Sequence, residues 1–229
     1  GSMPISSVKP LHCKMILNQM EKDYAGSTIR QAFICMGTLF KSALMNDLIS
    51  KHPMNGVRYT KPVRATNDIK FLTLDEQKKF LEVAKRSHNY NQYALILETG
   101  LRTGEMIGLT WDVIDWEKRT LTVDKTLEYR HKQGYWRAGP PKTLQSYRTI
   151  PLTNKAYGIL EELASHKKDR KESPSLSQVL SFIDRRTGKT KSFCMRDLVF
   201  INLRTGEPAK NSSYDTHLYK LCDEGNIER

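Results

Sequence analysis

The apolar residues of this chain open on a helical period that later gives way to an alternating one, and that change limits the architectures open to it. From Ser27 to Leu48 they fall at Ile29, Ala32, Phe33, Met36, Phe40, Ala43 and Leu44, the three-and-four spacing of one buried helical face. Ser27 is placed to cap that helix, and Leu11, Met15 and Met20 predict a shorter helix covering the same face. Thr73 and Glu76 have capping-box spacing ahead of Phe80, Leu81 and Ala84. Two more helices are expected, Tyr90 to Glu98 closed by Gly100 and a short one from Thr103 to Leu109. Between Arg119 and Leu152 the period drops to two: Thr120-Leu121-Thr122-Val123, Thr126-Leu127-Glu128-Tyr129 and Tyr147-Arg148-Thr149-Ile150 alternate between turns, as a small antiparallel sheet would. Thr153 opens a further helix, and the segment from His166 to Lys191 reads as basic and irregular. A strand is expected at Leu198 to Ile201 and a last helix around Tyr214 to Cys222. The predicted fold is mainly α with a small antiparallel β-sheet, an α+β chain.

Punctuation and charge divide it. His52-Pro53-Met54-Asn55-Gly56 breaks the helical pattern, and Arg58, Lys61, Pro62, Arg64 and Lys70 follow with little periodicity. We therefore expect a helical module over residues 3–57, a basic linker over 58–70 and a second domain over 71–229. Lys plus Arg number 37 against 25 Asp plus Glu, a formal net charge of +12. Such a balance favours polyanions, nucleic acid first, because clustered lysines and arginines gain affinity by releasing condensed counterions. With 38% hydrophobic residues and no unbroken apolar stretch near membrane length, the chain reads as soluble and globular. Gly1-Ser2-Met3 reads as a cloning remnant, and no signal-like apolar region follows it; a cytoplasmic protein is the expectation. Cys13, Cys35, Cys194 and Cys222 form no CxxC pair and sit near no paired histidines. They read as buried reduced thiols, with neither a disulfide framework nor a metal site.

The run most suggestive of chemistry is Thr99-Gly100-Leu101-Arg102-Thr103-Gly104-Glu105-Met106-Ile107-Gly108-Leu109-Thr110-Trp111, in which an arginine sits between two helices with glycine on either side. Glycine lets backbone approach a ligand. If Arg102 opens the second helix it is aimed at an anion; if it closes the first, it merely satisfies carbonyls. Glu105, one turn later, is placed to hold the guanidinium. The second run is Lys142-Thr143-Leu144-Gln145-Ser146-Tyr147-Arg148-Thr149-Ile150-Pro151-Leu152, a lysine on a hairpin turn leading into a strand, which alone is ordinary solubilising surface.

Together the Arg102 run and the Lys142 run, some forty residues apart, resemble the tyrosine recombinase, or phage integrase, family, most closely integrases of conjugative transposons. The resemblance implies a helical core-binding domain from Met3 to about Asn55 and most of a catalytic domain from Phe71 to Arg229. In that family a tyrosine attacks the scissile phosphate, giving a 3′-phosphotyrosine link and a free 5′-hydroxyl with no metal or nucleotide cofactor. Arg102 matches the first family arginine, Lys142 the general acid that protonates the leaving 5′-oxygen, and Glu105 a supporting acidic position. The implied partner is double-stranded DNA at transposon ends or attachment sites, gripped by a two-domain clamp with self-association on paired sites. Lys61 and Arg64 are candidate phosphate contacts in its linker.

The family also requires a His-x-x-Arg motif, a further histidine or tryptophan and the nucleophilic tyrosine, and residues 1–229 contain none of these. His217-Leu218-Tyr219-Lys220 carries lysine where arginine belongs, and we read it as ordinary helix; Tyr129 and Tyr157 fall in sheet-like or core-like patterns. These 229 residues are accordingly expected to bind DNA without cleaving it, the catalytic domain being incomplete. The alternative is a non-catalytic basic DNA-binding regulator, in which Arg102 closes a helix and Lys142 touches only backbone.

Overall fold

The computed structural model describes residues 3–59, 71–202 and 204–228, and the chain divides into two compact units, Gly1–Ile69 and Lys70–Arg229. In the first, α1 (Pro10–Asp23) starts on a proline, whose missing N–H costs nothing there, and α2 (Gly26–Met45) returns against it. Their shared core holds Cys13, Leu17, Ile29, Phe40 and Ala43, closed by Ile49, Met54 and Val57 from the segment that follows. His52 Nε2 bonds to the Gly37 carbonyl at 3.2 Å and fastens that segment to the middle of α2.

Four expectations fail in this unit. Ser27 does not cap α2; Ala25 holds the cap position with no side-chain bond. α2 stops at Met45 and not Leu48, because Asn46 Nδ2 donates to the Ser42 carbonyl and Asp47 turns left-handed at φ 56°, letting Leu48 N–H reach back to Ala43. α1 buries Cys13 and Leu17 while Leu11 and Met15 face outward, so of the three residues expected to cover that face only Met20 packs on the core. Cys35 is exposed, not buried.

The second unit opens with α3 (Leu74–Ala84), α4 (Tyr90–Thr99) and α5 (Thr103–Ile107). The capping box forms as the spacing predicts: Thr73 Oγ1 accepts from Glu76 N–H, and Glu76 Oε2 accepts from Thr73 N–H at 2.7 Å. Gly100 ends α4 with φ 63°, the left-handed turn that glycine adopts without a Cβ penalty. Strands β1 (Ile114–Asp115), β2 (Thr120–Val123), β3 (Thr126–Arg130), β4 (Tyr135–Gly139) and β5 (Arg148–Pro151) follow, then α6 (Asn154–Ser165), β6 (Val179–Ile183), β7 (Thr190–Cys194) and α7 (Asn211–Glu224). The fold is α+β, mainly helical, with small antiparallel sheets.

The single sheet expected over 119–152 is two: β1-β2-β5, and a separate hairpin β3-β4 that intervenes between β2 and β5 in sequence. Lys142 therefore lies on an exposed bend joining β4 to β5, not on a hairpin turn. The segment read as irregular contains a third sheet, the β6-β7 hairpin; β4 lies against β6. Residues Leu198 to Ile201 are buried but make only isolated bridges, Thr110 with Leu198 and Ile201 with Pro208. The Leu198 and Val199 carbonyls are taken instead by the Arg170 guanidinium, which also lies over the Trp111 ring. A side chain here supplies what a partner strand otherwise would. The core gathers Phe80, Leu95, Met106, Ile107, Leu121, Leu127, Leu160, Leu198 and Tyr214 behind the α4-α5 corner.

Two glycines with left-handed backbones separate a conformational cost from a steric one. A Cβ on Gly134 (φ +72°) meets nothing, whereas one on Gly206 (φ +71°) would lie 2.5 Å from the Lys171 carbonyl oxygen. Gly134→Ala is expected to cost about 1 to 2 kcal/mol. Gly206→Ala should cost clearly more, because backbone must also move, and equal shifts of the two urea midpoints would contradict that packing.

Candidate active site

The α4-α5 corner places one carboxylate between two arginines. Gly100 turns the chain sharply, Leu101 plugs the core, and Arg102 becomes the residue that precedes α5. Glu105 then points back beneath it: its Oε2 accepts the Arg102 backbone N–H at 3.0 Å and its Oε1 accepts from Arg102 Nη1 at 2.9 Å. The same carboxylate receives Arg148 from β5, with Nη2 to Oε2 at 2.8 Å and Nη1 to Oε1 at 3.2 Å. Arg148 spends its remaining reach on the Ser146 and Gly100 carbonyls. Glu105 is thus 2% exposed, Arg148 29% and Arg102 65%.

That gradient of exposure assigns different tasks to the three groups. Burial pushes the Glu105 carboxyl up, but the hydrogen bonds from Arg148 and Arg102 outweigh it and hold the group below its ordinary value. Arg148 neutralises the carboxylate from below and ties the start of β5 to the helix corner. Arg102 is held by one nitrogen and presents the rest of its guanidinium outward; among the described residues those other donors have no protein partner. It neither closes α4 nor folds into hydrocarbon. Gly104 lies against β3, where a Cβ would meet the Leu127 carbonyl at 3.5 Å, and Gly108 is tighter, at 3.0 Å from Leu127 N. Packing on β3 thus calls for glycine at 108, whereas a Cβ at 104 would make an ordinary contact there.

Lys142 stands exposed after buried Pro141, and among the described residues its ammonium has no ion pair. The bend it begins is ordered: Thr143 Oγ1 and Ser146 Oγ lie 2.9 Å apart, and Ser146 N–H donates to the Thr143 carbonyl. Lys61 and Arg64 lie outside the described residues. His217 bonds Ser87 Oγ at 2.8 Å and packs beside His88 and Tyr93, a position that joins α7 to the α3-α4 connection. Tyr129 lies in β3, and Tyr157 in α6 beneath the Arg119 guanidinium. Among the described residues no group of three His, Cys, Asp or Glu is placed to hold a metal ion.

Sequence reasoning passed over Arg148 as a structural partner and missed a second charged cluster altogether. Lys125, 5% exposed, pairs with Asp124 at 2.8 Å; Lys191 from β7 reaches Asp124 at 3.3 Å and fully buried Asp184 at 3.0 Å. The signal in sequence was slight, since Asp124 and Asp184 are sixty residues apart and only the β6-β7 hairpin brings them to one lysine.

Glu105→Ala leaves Arg148 half-buried without its counter-charge, and we expect a loss of about 3 kcal/mol in urea unfolding at neutral pH. Because the folded carboxyl titrates below its ordinary value of 4.5, its contribution is complete above that value and vanishes as pH falls through the lower folded one. The gap between wild type and Glu105→Ala should therefore narrow only below about pH 4.5. A gap that narrows instead on the alkaline side would refute the assignment.

The phage integrase family profile matches residues 70–229. The transposase from transposon Tn916 of Enterococcus faecalis is 29% identical over 176 residues, 75% of this chain and 43% of that protein. A XerC-like tyrosine recombinase of Caldanaerobacter subterraneus is 26% identical over 181 residues, 74% of this chain and 46% of that protein. The chain thus spans less than half the length of these curated relatives. Among solved structures, the Tn1549 transposon integrase in complex with circular intermediate DNA superposes with a TM-score of 0.73 at 24% identity, over 99% of this chain and 67% of that one. A lambda integrase dimer bound to a core site gives 0.61 at 16% identity, over 100% and 67%. These likenesses are of fold. No helix among the described residues is long and apolar enough to cross a membrane. With the profile spanning its whole second unit, the chain belongs to the phage integrase family of tyrosine recombinases.

Proposed function

We propose that these residues are the DNA-binding and partial catalytic portion of a site-specific recombinase that cuts and rejoins DNA at the ends or attachment sites of a mobile element. The observation that carries the reading is the Arg102 guanidinium, fixed from below by Glu105 and open above. A pentavalent phosphorane concentrates negative charge on its non-bridging oxygens, and a pre-oriented arginine fork offers two parallel donors to them. The Lys142 ammonium, on its exposed bend, supplies the proton that the leaving 5′-oxygen takes as the bond from phosphorus to that oxygen breaks. The bond formed in exchange joins phosphorus to a tyrosine oxygen, which belongs to the family's C-terminal motifs and has no counterpart in residues 1–229. Bond energy is conserved in the phosphotyrosine, so rejoining needs no nucleotide.

In this reading residues 3–57 form a DNA-binding helical module, 58–70 a basic linker and 71–229 the catalytic domain. Lys61 and Arg64 touch phosphates, giving affinity with little sequence preference. The protein works in the bacterial cytoplasm, and copies associate on paired sites. The TM-score of 0.73 to a transposon integrase held in complex with DNA supports the reading.

The 229-residue chain should bind duplex DNA with an affinity that falls linearly on a log-log plot against salt, and form no covalent adduct. Lys61→Ala with Arg64→Ala should reduce that slope by about two, evenly across sequences. In the chain extended through the family's remaining motifs, a suicide substrate should trap a covalent adduct, and Arg102→Ala should slow its formation about 100- to 1000-fold. Adduct formation indifferent to Arg102→Ala would leave the non-catalytic binding reading in its place.

A further inference from the structure

The bend that carries Lys142 is held at its far end by the side chains of two successive residues, Arg148, whose guanidinium donates to the Ser146 carbonyl, and Tyr147. Residues 143–146 form a single 3-10 turn, and Tyr147 N–H donates to the Leu144 carbonyl as the chain leaves it. At the next residue Arg148 is committed to Glu105 and to the Gly100 carbonyl, so the chain beyond the bend is fixed to the Arg102 corner. Tyr147 engages a different part of the fold. Its hydroxyl oxygen accepts the backbone N–H of Arg185 at 3.0 Å, and the Arg186 guanidinium lies 4.2 Å from its ring centroid. Both partners belong to the turn between β6 and β7, some forty residues from the Lys142 bend in sequence.

That turn is itself braced. Asp184, fully buried at the end of β6, accepts the Arg186 N–H at 2.8 Å and pairs with Lys191 of β7 at 3.0 Å. Lys191 also reaches Asp124 at 3.3 Å, the residue immediately after β2, and Asp124 holds buried Lys125. A continuous set of charged contacts thus runs from the end of β2, through the β6-β7 hairpin, to the Tyr147 ring. A long flexible amine is an effective general acid only if its backbone origin is fixed near the proton's destination.

We propose that Tyr147 is a positioning residue for Lys142: gripped by Arg185 and Arg186 of the β6-β7 turn, it fixes the bend from which the lysine ammonium reaches the leaving oxygen. Tyr147 touches no reacting atom; it acts through the backbone of 143–146. The proposal rests on the general-acid reading of Lys142, and its tests separate the two.

The first test uses the 229-residue chain with Cys35→Ser and Cys194→Ser, carrying a nitroxide on Lys142→Cys and, as a control, on Lys132→Cys in the β3-β4 turn. Tyr147→Ala should sharpen the spectrum at 142 and leave that at 132 unchanged. Tyr147→Phe, which keeps the ring under Arg186 but loses the hydroxyl, should lie between Tyr147→Ala and the parent. An unchanged spectrum at 142, or equal sharpening at both sites, overturns the proposal.

The second test uses the full recombinase on two substrates, an ordinary phosphodiester and one with sulfur in place of the leaving 5′-oxygen, which departs without a proton. Lys142→Ala and Tyr147→Ala should each slow the oxygen substrate, Tyr147→Ala by at least about tenfold, and both should recover on sulfur. If Lys142→Ala recovers on sulfur and Tyr147→Ala does not, the proposal falls and the general-acid reading stands. If Lys142→Ala slows both substrates alike, the general-acid reading fails and takes the proposal with it.

Discussion

One buried carboxylate organises the second unit of this chain. Glu105 has almost no contact with water, and a charge so placed is tolerated only when paired and hydrogen-bonded on every face it offers. Four donors meet it, from the backbone and guanidinium of Arg102 and from the Arg148 fork. The requirement works in both directions. It forces β5 against the α4-α5 corner, and it orients the exposed Arg102 guanidinium without spending the rest of that group's donors. The α4-α5 corner depends in turn on Gly100, because the turn must be left-handed for Arg102 to emerge where Glu105 can reach it.

A second ionic cluster does similar work on the other side of the Lys142 bend. Asp124 and Lys125, from the link between β2 and β3, and Asp184 and Lys191, from the β6-β7 hairpin, neutralise one another under partial or complete burial. Lys191 loses hydration there, but Asp184 and Asp124 more than compensate and raise its pKa above the ordinary value. For Asp184 the Arg186 backbone hydrogen bond dominates, and its carboxyl is held far below the usual range. Neither cluster adds a large apolar surface. Both fix where a bend or a corner sits, which is the property that the proposed phosphoryl transfer by positioned cations demands.

Much of this was legible along the chain. The capping box of Thr73 and Glu76, the glycine stop at Gly100 and the hold of Glu105 on the Arg102 guanidinium are all local, involving residues no more than four apart, so spacing alone revealed them. Two of the errors have a plain physical source. In α1 the apolar residues Leu11 and Met15 misled, because a two-helix unit has little interior and leaves many hydrophobic side chains outside. From His166 to Lys191 the strand residues of β6 and β7 are interleaved with serine, threonine and lysine, since the hairpin is largely exposed and its alternation is weak.

The sequence by itself determined the α+β class, the Thr73 cap and the Gly100 stop, the basic character and the two runs that resemble a recombinase, because each is written in contiguous residues or in summed charge. Tertiary structure alone decided that Arg148 shares Glu105 with Arg102, that the β6-β7 turn grips Tyr147, and that Arg170 replaces a strand at Leu198 and Val199. Each of these joins residues between 28 and 43 apart. Such contacts are selected by the demand that every buried charge and carbonyl find a partner, and that demand acts only once the chain has closed on itself.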